Sequence, residues 1–139
     1  MLAYRRPRAQ AAAPAAPAAG QRPKLVAALL EPQHVADALR GRDAVVFAKA
    51  EWCPHCRAFD PEFRAWAQRW PFSSAIVLVE KERGDAAKKP EASKFRRTYQ
   101  IESWPTVLII RADGRWIKYE GERSADAIQR AAEAFFAQK

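Results

Sequence analysis

The chain has little sulfur and little histidine. Its 139 residues include two cysteines and two histidines. A disulfide-stapled scaffold spreads its cysteines to close long loops. Here Cys53 and Cys56 lie three positions apart, so a bond between them closes almost nothing and adds little as a crosslink. A structural zinc site needs two pairs of soft ligands, and beyond the cysteines there are only His34 and His55, so no metal is expected. Haem attachment needs a histidine directly after the second cysteine, and Arg57 stands there. No run of about 18 apolar residues occurs, so no membrane span is expected. Acid is missing from the start of the chain. Residues 1–24 carry Arg5, Arg6, Arg8, Arg22 and Lys24 and no Asp or Glu, and so hold much of the net charge of +8. The basic character is therefore largely a property of that stretch and does not imply a duplex reader. Without interleaved aromatics it gives no specific nucleic-acid site either.

What is present falls into two parts. Residues 1–23 form an Ala/Pro/Arg tail, and Ala11–Gly20 holds only Ala, Pro and Gly. It offers nothing large to bury and is expected to be disordered. It lacks the continuous apolar stretch of a secretory signal, which favours an intracellular location. Its arginines and missing acids would suit an organelle transit peptide, whereas its prolines and lack of serine favour a plain flexible tail.

From Lys24 to Lys139 the text reads as one globular domain. Lys24–Leu30 suits a first edge strand. Val35 and Leu39 lie four apart in a short helix ending near Gly41. Ala44–Ala50 reads as a central strand buried on both faces. After the cysteines, Phe59, Phe63, Trp66 and Trp70 fall on one face of a helix with Pro61 inside it, where a kink is expected. Ala75–Val79 is another buried strand, and Phe95 and Tyr99 mark a helix over 91–99. Thr106–Ile110 and Trp116–Tyr119 form an antiparallel pair about an Asp113-Gly114 turn. Ser124 can cap a last helix whose apolar face is Ile128, Ala131, Ala132, Phe135 and Phe136. The order β-α-β-α-β-α-β-β-α predicts an α/β fold with a mixed sheet and helices on both faces.

The two cysteines spend their proximity on chemistry. A Cys-x-x-Cys that directly follows a buried strand and opens a helix puts the first sulfur at the helix N-terminus. Unpaired N–H groups and the macrodipole favour a thiolate there. A thiolate is both nucleophile and good leaving group. Cys53 is therefore the expected nucleophile. Cys56, one turn further in and expected to be more buried, is the resolving thiol. Pro54 suits the first helical position, where its missing N–H costs nothing. His55 can donate a hydrogen bond or place positive charge near the Cys53 sulfur, favouring the reduced pair and making the disulfide more oxidising.

At these residues the chain resembles the thioredoxin superfamily, and most of all the catalytic domains of protein disulfide isomerases. The resemblance runs over about residues 24–138. Ala50-Glu51-Trp52-Cys53 stands before the helix, and Pro61 matches the proline of the family's active-site helix. Ser103-Trp104-Pro105-Thr106 stands at the cis-proline loop. Asp113-Gly114 and Tyr119–Asp126 look like the end of an isomerase domain. The resemblance implies a thioredoxin fold with Pro105 cis and lying against the cysteine pair. The backbone before Pro105 would pair with an extended substrate, with Trp104 and Trp52 lining the groove. Core packing is the other reading of Trp104. Arg123 matches an arginine that could approach Cys56 and ease its deprotonation, or else it is a solvated surface residue.

The pattern is also broken. The family places an acid six residues before the first cysteine, beneath the second, and here Phe47 stands there. Lys49 and Glu51 are expected to point the wrong way, or to lie too near the surface, to replace it. The Cys-Pro-His-Cys tetrad is that of bacterial periplasmic disulfide oxidases, but their helical insertion has no room here. Lys81, Arg83, Lys88, Lys89, Lys94, Arg96 and Arg97 outnumber Glu82, Asp85 and Glu91, giving either a solvated stretch or a dock for an acidic partner. The resemblance implies a monomeric thiol–disulfide oxidoreductase that acts on protein thiols and disulfides through a Cys53 mixed disulfide. It would need no cofactor beyond the Cys53–Cys56 pair, and would be recycled by a redox partner not encoded here. Cys-Pro-His-Cys argues for an oxidase or isomerase, and the missing signal peptide for a reducing compartment. The alternative is a binding module with idle cysteines, using the Pro105 groove and the basic segments.

Overall fold

The computed structural model describes residues 25–70, 75–80 and 90–138. The tail over 1–23 and the 81–89 part of the basic stretch lie outside the described residues. Strand β1 (Val26–Leu30) leads through a 3₁₀ turn (Pro32–His34) into α1 (Val35–Leu39). There follow β2 (Ala44–Lys49), α2 (Pro54–Arg69), β3 (Ala75–Glu80), α3 (Pro90–Thr98), β4 (Thr106–Ile110), β5 (Trp116–Tyr119) and α4 (Ala125–Ala137). The five strands form one sheet in the order β1-β3-β2-β4-β5. β3 runs parallel to β1 and β2, while β4 is antiparallel to both β2 and β5.

The alternation of β2 explains the two-sided core. Successive strand side chains point to opposite faces. Val45 and Phe47 join Val107 and Ile109 on one face, covered by Phe59, Phe63 and Trp66 of α2 and Ile128, Ala132 and Phe135 of α4. Ala44, Val46 and Ala48 join Leu108 and Ile110 on the other, covered by Val35 and Leu39 of α1 and by Phe95 of α3. Burying each of these large side chains contributes about 1.5–3 kcal/mol. The mixed sheet with helices on both faces is the expected architecture.

The differences are local. β1 begins at Val26 rather than Lys24, and its register slips between Val26 and Ala28, where Ala27 has φ 56°. This is a bulge, which leaves one residue out of the ladder at the sheet edge. α1 stops where Gly41 takes φ 70°, a conformation open to glycine at little cost. Asp113-Gly114 is not a two-residue turn. The Gly114 N–H donates to the Arg111 carbonyl at 2.9 Å, Arg111 N–H to the Arg115 carbonyl at 2.7 Å, and Gly114 has φ 96°. The hairpin thus closes over a three-residue loop whose last residue needs positive φ.

Candidate active site

The sheet brings two connections to one end. Ala48 of β2 lies opposite Thr106 of β4. The chain leaving β2 toward Cys53 and the chain entering β4 through Pro105 therefore emerge together. Cys53 is the N-cap of α2, with extended backbone, and Pro54 fills the first helical position. The Cys56 N–H donates to the Cys53 Sγ at 3.1 Å, and the Cys53 N–H to the Ala50 carbonyl at 3.0 Å. A disulfide joins Cys53 to Cys56 with Cα atoms 5.2 Å apart. The first sulfur thus occupies the helix mouth, where orphan amides and the dipole favour negative charge.

Cys56 is the more covered of the two, but only slightly: it is 1% exposed and Cys53 is 2% exposed. The bond holds both sulfurs against one apolar cluster, which also contains Phe47 and Phe59. Phe47 is fully buried, its ring edge-on to Phe59 at 5.5 Å and tilted against Phe63 at 5.1 Å. Where the resemblance calls for an acid, three aromatic rings fill the space.

Pro54 and His55 are exposed on the first turn of α2, and Trp52 is 62% exposed. The Trp104–Pro105 peptide is cis. Pro105 lines a cavity of about 280 Å³ with Glu102, Ser103, Thr106, Lys118, Tyr119 and Glu120. Trp104 is not part of that lining. It is half-buried and packs against both halves of the core. Arg123 is exposed on the loop before α4, and no described contact joins it to either cysteine.

Residues 30–134 match the family model described as thioredoxin. The chain belongs to the thioredoxin family. Among curated relatives it is 35% identical over 86 residues to a protein disulfide-isomerase of Zea mays, covering 60% of this chain and 16% of that protein. It is 37% identical over 87 residues to protein disulfide isomerase-like 1-3 of Arabidopsis thaliana, covering 61% and 13%. The chain thus spans about a sixth or less of the length of these relatives. The solution structure of the first thioredoxin domain of mouse protein disulfide-isomerase A4 superposes with a TM-score of 0.64 at 19% identity, covering 91% of this chain and 90% of that one. That likeness carries the thioredoxin fold.

One feature of this thioredoxin-family chain has no local signal in the sequence. Lys49, the last residue of β2, donates to an Asp60 carboxylate oxygen at 3.0 Å, and the two side chains are 17% and 19% exposed. Arg64, one turn further along α2, binds the other oxygen of Asp60. Burial alone would push the Asp60 carboxyl up, but the hydrogen bonds from Arg64 and Lys49 outweigh it and hold the group below its ordinary value. Lys49, Ala50, Glu51, Cys56, Arg57, Asp60 and Pro61 line an open cleft of about 510 Å³. Lys49, expected to point the wrong way or to lie too near the surface to replace the missing acid, lines the same cleft as Cys56. Its long stem lets the ammonium reach α2, where Asp60 anchors it in a cleft that Cys56 also lines.

Proposed function

We propose that the chain is a thiol–disulfide oxidoreductase acting on protein substrates through Cys53. The reading rests on Cys53 capping α2 while bonded to Cys56. Isomerase-named relatives and the Pro105 cavity at the same end of the sheet support it. In the oxidising direction a substrate thiolate attacks the Cys53 Sγ. The Cys53–Cys56 bond breaks, and Cys56 leaves as a thiolate and takes up a proton. A second substrate thiolate then attacks the mixed disulfide, so the substrate leaves oxidised and the pair is left as two thiols. The reducing direction is the same path reversed. A separate partner resets the pair, and no further cofactor takes part. We assign the oxidising direction, because the helix mouth and the exposed His55 favour thiolate over disulfide.

Dithiothreitol-driven insulin reduction, followed by turbidity, tests the activity. The wild type is expected to accelerate precipitation and Cys53→Ser to fall to the uncatalysed rate. Equal turnover by both proteins would falsify the proposal in favour of a binding module with idle cysteines.

A further inference from the structure

We infer that Lys49, anchored by Asp60, is the positioning residue that sets when Cys56 ionises; this rests on the oxidoreductase reading above. Cys56 must act as a thiolate in both directions, attacking a mixed disulfide in one and leaving Cys53 in the other. Its surroundings oppose that form. It is 1% exposed and sits in a cluster with Phe47, Phe59 and Phe63, and apolar surroundings favour the neutral thiol. Negative charge on its sulfur therefore needs support from a polar wall.

The cleft supplies that wall. Asp60 lies one helical turn after Cys56, and residues four apart are neighbours on a helix. Lys49 reaches the same place from β2. The charged groups facing the cleft or paired to it are Lys49, Arg57 and Arg64 against Glu51 and Asp60, with Arg57 also donating to the Glu51 carbonyl. Glu80 of β3 stands in register with Lys49 and adds a further acid on the neighbouring strand. Asp60 is held ionised by its two partners, which makes it a weak proton acceptor and a firm anchor. The ammonium of Lys49 is thus the group that favours the Cys56 thiolate, and Asp60 moderates it.

The step is simple to write. With Cys53 bonded to glutathione, the Cys56 thiol gives its proton to solvent in the cleft. Its sulfur electron pair forms the Cys53–Cys56 bond. The Cys53–glutathione bond breaks, and glutathione leaves with that electron pair and takes a proton from solvent. The Cys53–glutathione adduct can be formed at acid pH and jumped to higher pH, with glutathione release followed by stopped flow.

Opposite signs are expected. Lys49→Met moves the midpoint of the rate against pH upward by about one pH unit, and Asp60→Asn moves it downward. Lys49→Arg keeps the charge and stays near wild type. A merely structural bridge would move both variants the same way, as would proton transfer to Asp60, and either result overturns the inference. Unchanged midpoints overturn it too. Should Lys49→Met not fold, an upward or absent shift in Asp60→Asn is sufficient to reject it. If the wild type itself releases no glutathione, the oxidoreductase reading falls and this inference with it.

Discussion

At the scale of single residues, Asp60 should leave a mark on acid stability. Its folded carboxyl lies below the ordinary value, so its ionised form stabilises the fold above about pH 4. That contribution is lost as pH falls through the lowered folded value. In urea titrations the wild-type midpoint should decline through this acid window. Asp60→Asn should start lower at neutral pH and decline less steeply. Asp113, held low mainly by its hydrogen bonds from Arg115, leaves a residual slope. A mutant with the full wild-type slope would show that the ion pair contributes nothing. The same residue marks a limit of reading a sequence. Cys53, Cys56 and Pro54 are legible because their chemistry depends on neighbours in the chain. The Lys49–Asp60 pair spans eleven residues across a strand and a helix, and nothing near either residue announces it. Phe47 was legible as a missing acid, but not as one ring of an aromatic stack, because Phe59 and Phe63 meet it only after α2 docks.

At the scale of elements, period and capping carried most of the information. The four-three-four spacing of Phe59, Phe63, Trp66 and Trp70 gave the buried face of α2 and its C-cap residue, since helix geometry needs only local spacing. Ser124 caps α4 as expected, accepting the Ala127 N–H at 3.3 Å. What spacing does not carry is how α2 and α4 recognise each other. Glu62 accepts the Ala125 N–H at 2.9 Å, so one helix caps the other, and the Trp66 indole donates to Gln129 at 2.9 Å. Both contacts span 63 residues. A carboxylate on an orphan N-terminal amide also suits the dipole of α4. Glu62→Ala should therefore cost about 1 kcal/mol, as lost caps do. Urea unfolding of the two proteins checks this, and a change below about 0.3 kcal/mol would leave Ser124 as the sole effective cap.

At the scale of the whole molecule, the direction of electron flow becomes a stability measurement. Any difference in stability between the oxidised and reduced forms is also a difference in the potential of the pair between folded and unfolded chain. The bond spans a sequence separation of 3. The chain-entropy model gives such a short loop about 2 kcal/mol in favour of the oxidised fold. The helix mouth at Cys53 and the Lys49 ammonium in the cleft that Cys56 lines work the other way, because each favours thiolate. If they prevail as proposed, reducing the pair should cost less than about 2 kcal/mol or should stabilise the protein. The melting temperature would then fall by less than about 8 °C, or rise. Equilibration with glutathione buffers should agree, giving a potential above the roughly −270 mV of a reducing thioredoxin. A reduced form that melts far below the oxidised one, with a potential at or below that value, would place this chain among reductases. The charges around Cys56 would then serve the speed of exchange and leave its direction to the pair itself.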